Sequence, residues 1–335
     1  MTRLPPRSRS SRTMRLRTLL SIPLLAVLSF GSPAQESARA EEAPLVVFVT
    51  GDEEYRSEES MPMLARILER DHDVRVACAY SVAEDGTVDP NESVRMVGLE
   101  AVEEADLVVL FTRFRRWEEA DAKRLVDYAA SGKPLVGFRT STHAFKYPDD
   151  HPLRHLNDEW SRAVFGQRWI THHGHFDDGK KPLTAVTLTP AKEVHPILRG
   201  VEPFGAFSWL YHVEGGGDTL EGEDVRRLLW GSAQRSGHVD RGRDGRFAPV
   251  NPVAWTKTSP AGGRVFFTTL GHPFDFRAES MRRVSIQGIL WALGAEDEIP
   301  AEGVPAAFAS PYDPRPSGFG SVFRPGQRPE LVRGG

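Results

Sequence analysis

An unbroken apolar stretch, LVVFVT at residues 45–50, is the feature that most restricts how this chain can fold. A strand with one face in water alternates polar and apolar side chains, whereas a strand covered on both faces does not. This stretch shows no such alternation and ends at Gly51. It therefore predicts a central strand of a parallel sheet, with helices packed on both faces.

The same unit of strand and helix recurs along the chain. After the first strand, Met61, Leu64, Ala65 and Leu68 have the spacing of one apolar helical stripe. Further apolar stretches predict strands at 74–79, 107–112, 134–138 and 264–270, with helices at 118–131 and before Gly294. Alternating strands and helices are typical of right-handed βαβ units. We therefore expect an α/β fold with a doubly wound, mostly parallel sheet in three layers.

The two ends of the chain have a different composition from this domain. Residues 1–34 begin with six arginines and no acid, continue with an apolar run at 19–30, and end in Ser32-Pro33-Ala34. This is the layout of a signal peptide that is cleaved after Ala34, so we expect a periplasmic or extracellular protein. The domain then spans 44–296, with an irregular, insertion-rich part at 150–250, and residues 300–335 form a tail rich in Pro and Gly.

Charge and cysteine content limit the possible partners. Removal of the six leader arginines takes the formal net charge from −4 to −10, and an acidic domain repels phosphate backbones, so we expect no nucleic-acid partner. The apolar run of the leader is shorter than the roughly 20 residues that cross a bilayer, so no membrane span is expected after cleavage. Cys78 is the only cysteine, which excludes an intramolecular disulfide. No pattern in the sequence specifies an oligomeric state.

Polar and aromatic side chains follow the predicted parallel strands, and ligands of open α/β sheets bind at the carboxyl ends of such strands. We therefore expect one shared site. Its predicted members are Asp52, Glu53 and Tyr55 after the first strand, Arg113, Arg115 and Trp117 after 107–112, Arg139 and His143 after 134–138, and His272 after 264–270. Carboxylates and imidazoles are the usual acid/base groups, and arginines and aromatics are suited to orienting a substrate.

A histidine cluster lies in the segment WITHHGHFDD at residues 169–178. If the backbone there is extended, His173 and His175 share one face and form a two-point chelate for zinc, which needs further ligands. Candidates to complete it are His143, His212, Glu214 and His272. Two other interpretations stay open: His173 and His175 as metal-free acid/base groups, and a structural loop held by hydrogen bonds.

The turn GFRTS at residues 137–141 has the order of a strand that leads into a nucleophile elbow, but its central residue, Arg139, is not a nucleophile. Arg139 is also suited to an ion pair with Asp52, Glu53 or Glu54. A hydrolase with Ser141 as nucleophile and His143 as base is a further alternative. Trp117 and Trp169 could stack on a sugar ring, and neither a dinucleotide nor a nucleoside triphosphate motif is present.

Several motifs in the same order resemble the ThuA-like (trehalose utilisation) family, in particular its exported planctomycete-type branch. They are FVTGDEEYRSEESMPMLARIL, LFTRFRRW, GFRTSTHAF, WITHHGHF, PVAWTKT and GGRVFFTTLGH, and they extend over about residues 45–295. The resemblance implies a flavodoxin-like fold of the class I glutamine amidotransferase-like type. Since Arg139 stands where an amidotransferase has its cysteine, it also implies a protein without glutaminase activity.

Two functions from different classes are therefore predicted. The first is an exported enzyme that acts on a carbohydrate or sugar derivative, including 3-keto sugars, by hydrolysis, elimination or isomerisation. The second is a non-catalytic sugar-binding or accessory protein on an amidotransferase-like scaffold. The first requires no cofactor, although a divalent metal such as zinc is compatible with it.

Overall fold

The computed structural model describes residues 43–157, 159–173, 180–222, 224–234 and 246–331. The predicted signal peptide at 1–34 and His175 of the histidine cluster lie outside the described residues. None of the helices in the described part of the chain is long and apolar enough to cross a membrane.

The elements of the N-terminal half alternate between strand and helix as predicted. In chain order they are β1 (Leu45–Gly51), α1 (Ser57–Asp71), β2 (Arg75–Ser81), β3 (Met96–Val97), β4 (Leu107–Thr112), α2 (Glu119–Ala130), β5 (Leu135–Phe138) and α3 (Glu159–Phe165). The two continuous apolar stretches LVVFVT and LVVLFT form β1 and β4. Every residue of these strands is buried, because both faces of the sheet are covered there.

The second half contributes mostly strands. They are β6 (His172–His173), β7 (Thr184–Leu188), β8 (Phe204–Ala206), β9 (Leu210–Tyr211), β10 (Arg226–Ala233), β11 (Val250–Thr258) and β12 (Arg264–Thr268), followed by α4 (Glu279–Leu293). Gly294 ends α4 in the left-handed conformation (φ 85°), and its N–H donates to the last carbonyls of the helix.

One large sheet has the strand order β3-β2-β1-β4-β5-β12-β11-β10-β7-β8. Strands β2, β1, β4, β5 and β12 are parallel neighbours, and β11, β10, β7 and β8 extend the sheet antiparallel. The insertion-rich part at 150–250 therefore continues the sheet through β7, β8 and β10. The predicted α/β fold class, with a mostly parallel, doubly wound centre, is confirmed.

Two apolar cores lie on opposite faces of this sheet. Val46 and Phe48 of β1 pack toward the side of α1 and α4, whereas Val47 and Val49 pack toward the side of α2 and α3. Alternate residues of a strand point to opposite faces, so a strand without polar alternation supplies both cores. This three-layer packing brings the carboxyl ends of β1, β4, β5 and β12 to a common edge.

Candidate functional site

Backbone strain marks this carboxyl edge of the sheet. Arg56 (φ 54°) follows the loop after β1, Phe114 (φ 53°) follows β4, and Arg139 (φ 39°) follows β5 directly. Positive φ is costly for residues other than glycine and is concentrated at functional sites. Leu331 is the one other such residue in the described ranges. The strain thus selects the same edge that the strand ends predict.

The loop after β1 is held by Asp52, which is fully buried. Its Oδ1 accepts hydrogen bonds from the backbone N–H of Glu54 (2.7 Å) and of Tyr55 (2.8 Å), and the Thr140 hydroxyl donates to Oδ2. Both carboxylate oxygens are therefore engaged in joining the β1 and β5 loops. This geometry suits a positioning role for the predicted acid/base residue Asp52.

The neighbouring carboxylate, Glu53, forms ion pairs with Arg113 and with Arg115, whose Nη2 lies 2.9 Å from Oε2. Arg115 is buried and also donates to the carbonyl of Glu92 at 2.6 Å. Burial and the nearby Asp52 raise the pKa of Glu53, against the opposing effect of both arginines. The predicted residues Glu53, Arg113 and Arg115 are thus brought together at the ends of β1 and β4.

Arg139 lies between two tyrosine rings. Its guanidinium carbon is 4.1 Å from the ring centroid of Tyr55 and 4.6 Å from that of Tyr211, and its nitrogens donate to the Tyr55 hydroxyl and to the carbonyls of Trp209 and Thr269. None of the described ion pairs includes Arg139, so its predicted pairing with a carboxylate is replaced by π faces and carbonyls.

Arg139 stays charged in this enclosure. Burial acts to lower the pKa of its guanidinium, but the phenolic oxygens of Tyr55 and Tyr211 outweigh it, so the pKa lies above its ordinary value. The side chain has no exposed surface. The elbow position of the fold therefore holds a buried cation in strained backbone geometry.

One contact favours a particular tautomer of His143. The Thr142 hydroxyl donates to the carbonyl of Arg139 at 3.1 Å and lies 3.2 Å from Nδ1 of His143. A hydroxyl that donates its one proton to this carbonyl accepts from His143, and this arrangement favours the tautomer with the proton on Nδ1. In the described part of the chain Nε2 has no hydrogen bond and is not among the enclosed polar atoms, so its lone pair can meet a ligand.

The surroundings of His143 keep it neutral. Burial, followed by the charges of Arg113 and Arg139, lowers its pKa well below the ordinary value for histidine. Its ring lies 5.0 Å from that of Phe114, 5.5 Å from that of Trp169 and 6.4 Å from that of Tyr211, measured between centroids. His143 is thus a neutral imidazole in an aromatic cleft.

The segment with the histidine cluster reaches this cleft through a short antiparallel ribbon. His172 pairs with Tyr211 and His173 pairs with Leu210. The His172 ring lies 4.6 Å from that of Trp209 and 6.0 Å from that of Trp169, whereas Nε2 of His173 donates to the carbonyl of Ala248 at 3.0 Å. The ribbon therefore turns His172 toward the cleft and His173, which was predicted for it, away.

The aromatic wall has a different composition from the one predicted. Trp169 is 38% exposed and borders His143, so it is placed to stack on a ligand. Trp117 is buried and packs edge-on against Phe145 in the core. The indole N–H of Trp209 is enclosed and has no hydrogen-bond acceptor within the described ranges.

His272 is fully buried next to Tyr55, with 6.2 Å between the two ring centroids. Its Nδ1 accepts from the N–H of Phe274 at 3.0 Å, so Nε2 carries the proton and faces the hydroxyl of Ser317 at 3.0 Å. Burial is the main cause that lowers the pKa of His272 to about 3. The tail predicted at 300–335 therefore contributes to the edge of the site through Ser317.

Two further sequence interpretations can be compared with the geometry. The Ser141 hydroxyl is buried, donates to the carbonyl of Leu110 at 2.9 Å and is not paired with His143, so the arrangement does not form a nucleophile and base. Among the described residues, no group of three or more His, Cys, Asp or Glu side chains could hold a metal ion. Nε2 of His173 is bonded to a carbonyl, as the second ring nitrogen of metal-ligating histidines also is, and His175 lies outside the described residues, so the zinc chelate stays a prediction.

The sequence interpretation did not assign His172, Trp209 or Tyr211 to the site. Their positions depend on the pairing of β6 with β9, two strands of two residues each, which are too short for side-chain periodicity to predict.

Residues 45–292, well over half of the chain, match the model of the ThuA family, described as trehalose utilisation. No curated protein sequence matches the chain.

Solved structures with similar folds include two putative ThuA-like proteins. The one from Bacteroides uniformis is 16% identical, with 78% of this chain and 95% of that chain covered at a TM-score of 0.49. The one from Parabacteroides merdae is 18% identical, with 79% and 94% covered at a TM-score of 0.48. An exo-β-1,4-mannosidase from an Opitutaceae bacterium is 14% identical, with 75% of this chain and 36% of that chain covered at a TM-score of 0.36.

Proposed function

Since the chain belongs to the ThuA (trehalose utilisation) family, we propose that it acts on a carbohydrate or sugar derivative in the cleft around His143. The reaction proposed is proton transfer at a carbon next to a carbonyl, as in isomerisation or elimination of a 3-keto sugar. The observation that carries this proposal is the His143 tautomer, with Nδ1 bonded to Thr142 and the Nε2 lone pair available.

The composition of the cleft supports a sugar as the ligand. Sugar rings stack on aromatic faces and bind through several hydrogen-bond donors and acceptors. Phe114, Trp169 and Tyr211 surround His143, and Trp209 adds an indole N–H that lacks an acceptor within the described ranges. No phosphate-binding motif competes with this interpretation in the sequence.

In the proposed step, Nε2 of His143 takes the proton from the carbon that flanks the carbonyl. The electron pair of the C–H bond moves onto the carbonyl oxygen, and a nearby cation stabilises the resulting oxyanion. Arg113 is the partly exposed cation of the cleft and stacks on the Phe114 ring at 4.2 Å. For isomerisation, the hydroxyl proton of the deprotonated carbon passes to the oxyanion, and His143 delivers its proton to the former carbonyl carbon, so that the carbonyl moves to the neighbouring carbon.

Elimination additionally requires an acid for the leaving oxygen, and we assign this role to Glu54. Burial and then Asp52 raise the pKa of Glu54, which favours its protonated form. Its Oε2 lies 3.5 Å from Nε of Arg113, so it borders the same cation as the substrate oxygen. The oxyanion then restores the carbonyl, the enolate electrons form a C=C bond, and the C–O bond breaks. The electron pair of that bond stays on the leaving oxygen, which takes the Glu54 proton.

The test is hydrogen exchange between a 3-keto-disaccharide and D₂O, followed by NMR at the carbons that flank the carbonyl. Wild-type protein should catalyse exchange even without net turnover, and His143→Asn should reduce its rate at least about 100-fold, the usual contribution of a general base. The exposed His155 provides the matched control, His155→Asn. Exchange at the wild-type rate in His143→Asn would refute the assignment.

A second candidate is a non-catalytic sugar-binding protein. It is favoured because the carboxylates of Asp52 and Glu53 are already bonded to other groups of the protein. Asp52 is bonded to two backbone N–H groups and Thr140, and Glu53 is paired with two arginines. Calorimetry decides between the two: saccharide binding that His143→Asn leaves intact, with no exchange in any variant, would favour this candidate.

We also propose that the protein is exported, on the basis of the leader at 1–34. N-terminal sequencing of protein secreted by an expressing bacterium should give Gln35 as the first residue. Recovery of chains that begin at residue 1 or 2 would contradict export by cleavage.

A further inference from the structure

A second cavity lies away from the cleft, between α1 and the C-terminal segment 310–330. It encloses about 270 Å³, close to the lower bound of about 300 Å³ for small-molecule sites. None of the residues assigned to the cleft lines this cavity. The residues that the argument uses are Glu58, Pro62, Arg66 and Tyr80 of α1 and β2, and Tyr312 and Arg324 of the tail.

Glu58 is the unusual member of this lining. The residue is 9% exposed, and in the described part of the chain neither of its carboxyl oxygens has a hydrogen bond. Its nearest ion-pair partner is Nε of Arg56, at 3.7 Å from Oε1, which is too long for a hydrogen bond. An enclosed carboxyl group that has a distant ion-pair partner but no hydrogen bond is costly, so it indicates a group that bonds to something held in the cavity.

The helix adds a second acceptor at the same turn. In an α-helix the N–H of residue 62 would donate to the carbonyl of Glu58, but Pro62 has no N–H. Pro62 itself lines the cavity. The first turns of α1 therefore present both a carboxyl group and a backbone carbonyl that lack their usual donors.

The charges of the remaining lining are nearly balanced. Arg66 is paired with Glu330, and Arg324 is paired with Glu59 and faces Asp313. These ion pairs supply further hydrogen-bond donors and acceptors, and their charges largely cancel. The rings of Tyr80 and Tyr312 supply flat apolar surface. A ligand suited to this lining is neutral, carries several groups that both donate and accept, and has one face that can pack on a ring.

We propose that this cavity is a second binding site, for a neutral polyhydroxylated molecule of about monosaccharide size. Hydroxyl groups of the ligand donate to the Glu58 carboxyl and the Glu58 carbonyl, and accept from the arginines of the lining. Because the charges of the lining nearly balance, neither an organic cation nor an anion meets a strong attractive field there.

The protonation state of Glu58 is compatible with such a ligand. Burial raises the pKa of its carboxyl to about 8, and Arg56 opposes the rise. Near neutral pH the group is then a neutral acid that can both donate and accept, which matches a hydroxyl partner.

The experiment is calorimetric titration of full-length protein with D-glucose and myo-inositol, using tetramethylammonium and inorganic phosphate as the cationic and anionic probes. Titrations are made in the His143→Asn background, so that they do not depend on turnover in the cleft. Glucose or inositol should bind, and Glu58→Met, which removes both oxygens, should weaken that binding at least tenfold. The control is Glu69→Met, since Glu69 is an exposed acid on the same helix.

Ser310→Trp provides an independent test that does not disturb the core, because Ser310 is exposed but lines the cavity. The indole should fill the space and abolish binding, with an unchanged melting temperature. Binding that both Glu58→Met and Ser310→Trp leave unaltered, or a response only to tetramethylammonium or phosphate, would overturn the proposal.

Discussion

The hydroxyl of Thr142 lies 3.2 Å from Nδ1 of His143 and donates its own proton to the carbonyl of Arg139. One side chain thereby links the strained elbow residue to the imidazole that borders the cleft. This pair of contacts favours the tautomer of His143 with the proton on Nδ1, and the proposed function depends on that tautomer.

Replacement of Thr142 by Val should lower the rate of proton exchange about tenfold without abolishing it. Valine keeps the shape but removes the acceptor for Nδ1–H, so the imidazole is no longer restricted to the tautomer with a basic Nε2. Thr142→Ser should retain most of the rate, because it keeps the hydroxyl. An equal loss in the Val and Ser variants would mean that the hydroxyl does not act through His143.

The pH dependence of the proposed reaction follows from the neutral state of His143. Burial, with Arg113 and Arg139, lowers the pKa of His143 well below the ordinary 6.5, so the base stays unprotonated as pH falls through 6.5. The acid limb of kcat/KM should therefore lie clearly below pH 6.5. A half-point near 6.5 that disappears in His143→Asn would contradict the environment described for this histidine.

Removal of the buried cation should destabilise the protein. Arg139→Met leaves the carbonyls of Trp209 and Thr269 and the Tyr55 hydroxyl without their donors and removes two cation–π contacts. We expect a loss of about 3–5 kcal/mol in the free energy of unfolding, measured by urea denaturation. The control is Arg116→Met, at an exposed arginine that bonds to Ser93, for which a change within about 0.5 kcal/mol is expected.

The tail should influence substrate binding through Phe319. This ring is 57% exposed and lies 5.2 Å from the guanidinium carbon of Arg113. An exposed cation–π contact is worth about 0.5–1 kcal/mol, so Phe319→Ala should raise KM or the dissociation constant about 2–5-fold. The melting temperature should stay unchanged. An effect on kcat alone would place Phe319 outside the binding surface.

Glu58 should make stability decrease with rising pH. Its folded-state pKa of about 8 exceeds the unfolded value of 4.5, because burial outweighs Arg56, so between these pH values the folded state binds more protons than the unfolded state. Unfolding free energy then falls as pH rises, by at most about 1.4 kcal/mol per pH unit from this group. Denaturation at pH 5 and pH 8 should show a smaller decrease in Glu58→Gln than in Glu69→Gln.

The fold and the edge that carries the site were predictable from local pattern. Stretches such as 45–50 and 107–112 have apolar side chains on both faces, which is stable only at the centre of a covered sheet. Because parallel strands share one carboxyl edge, Asp52, Arg113 and His143 could be assigned to the same region without knowledge of any contact.

The chemistry within that edge was decided by tertiary contacts between distant segments. Pairing of His172 with Tyr211 determines which histidine of the cluster faces the cleft, and packing of residue 317 on His272 brings the tail to the site. The register of β6 with β9 and the enclosure of Glu58 both depend on contacts with other segments, some of them hundreds of residues away. Side-chain periodicity contains no information about such contacts. The sequence by itself therefore determined the layers and the edge, whereas the tertiary structure decided that His143 is a neutral imidazole, that Arg139 is a buried cation and that Glu58 is enclosed.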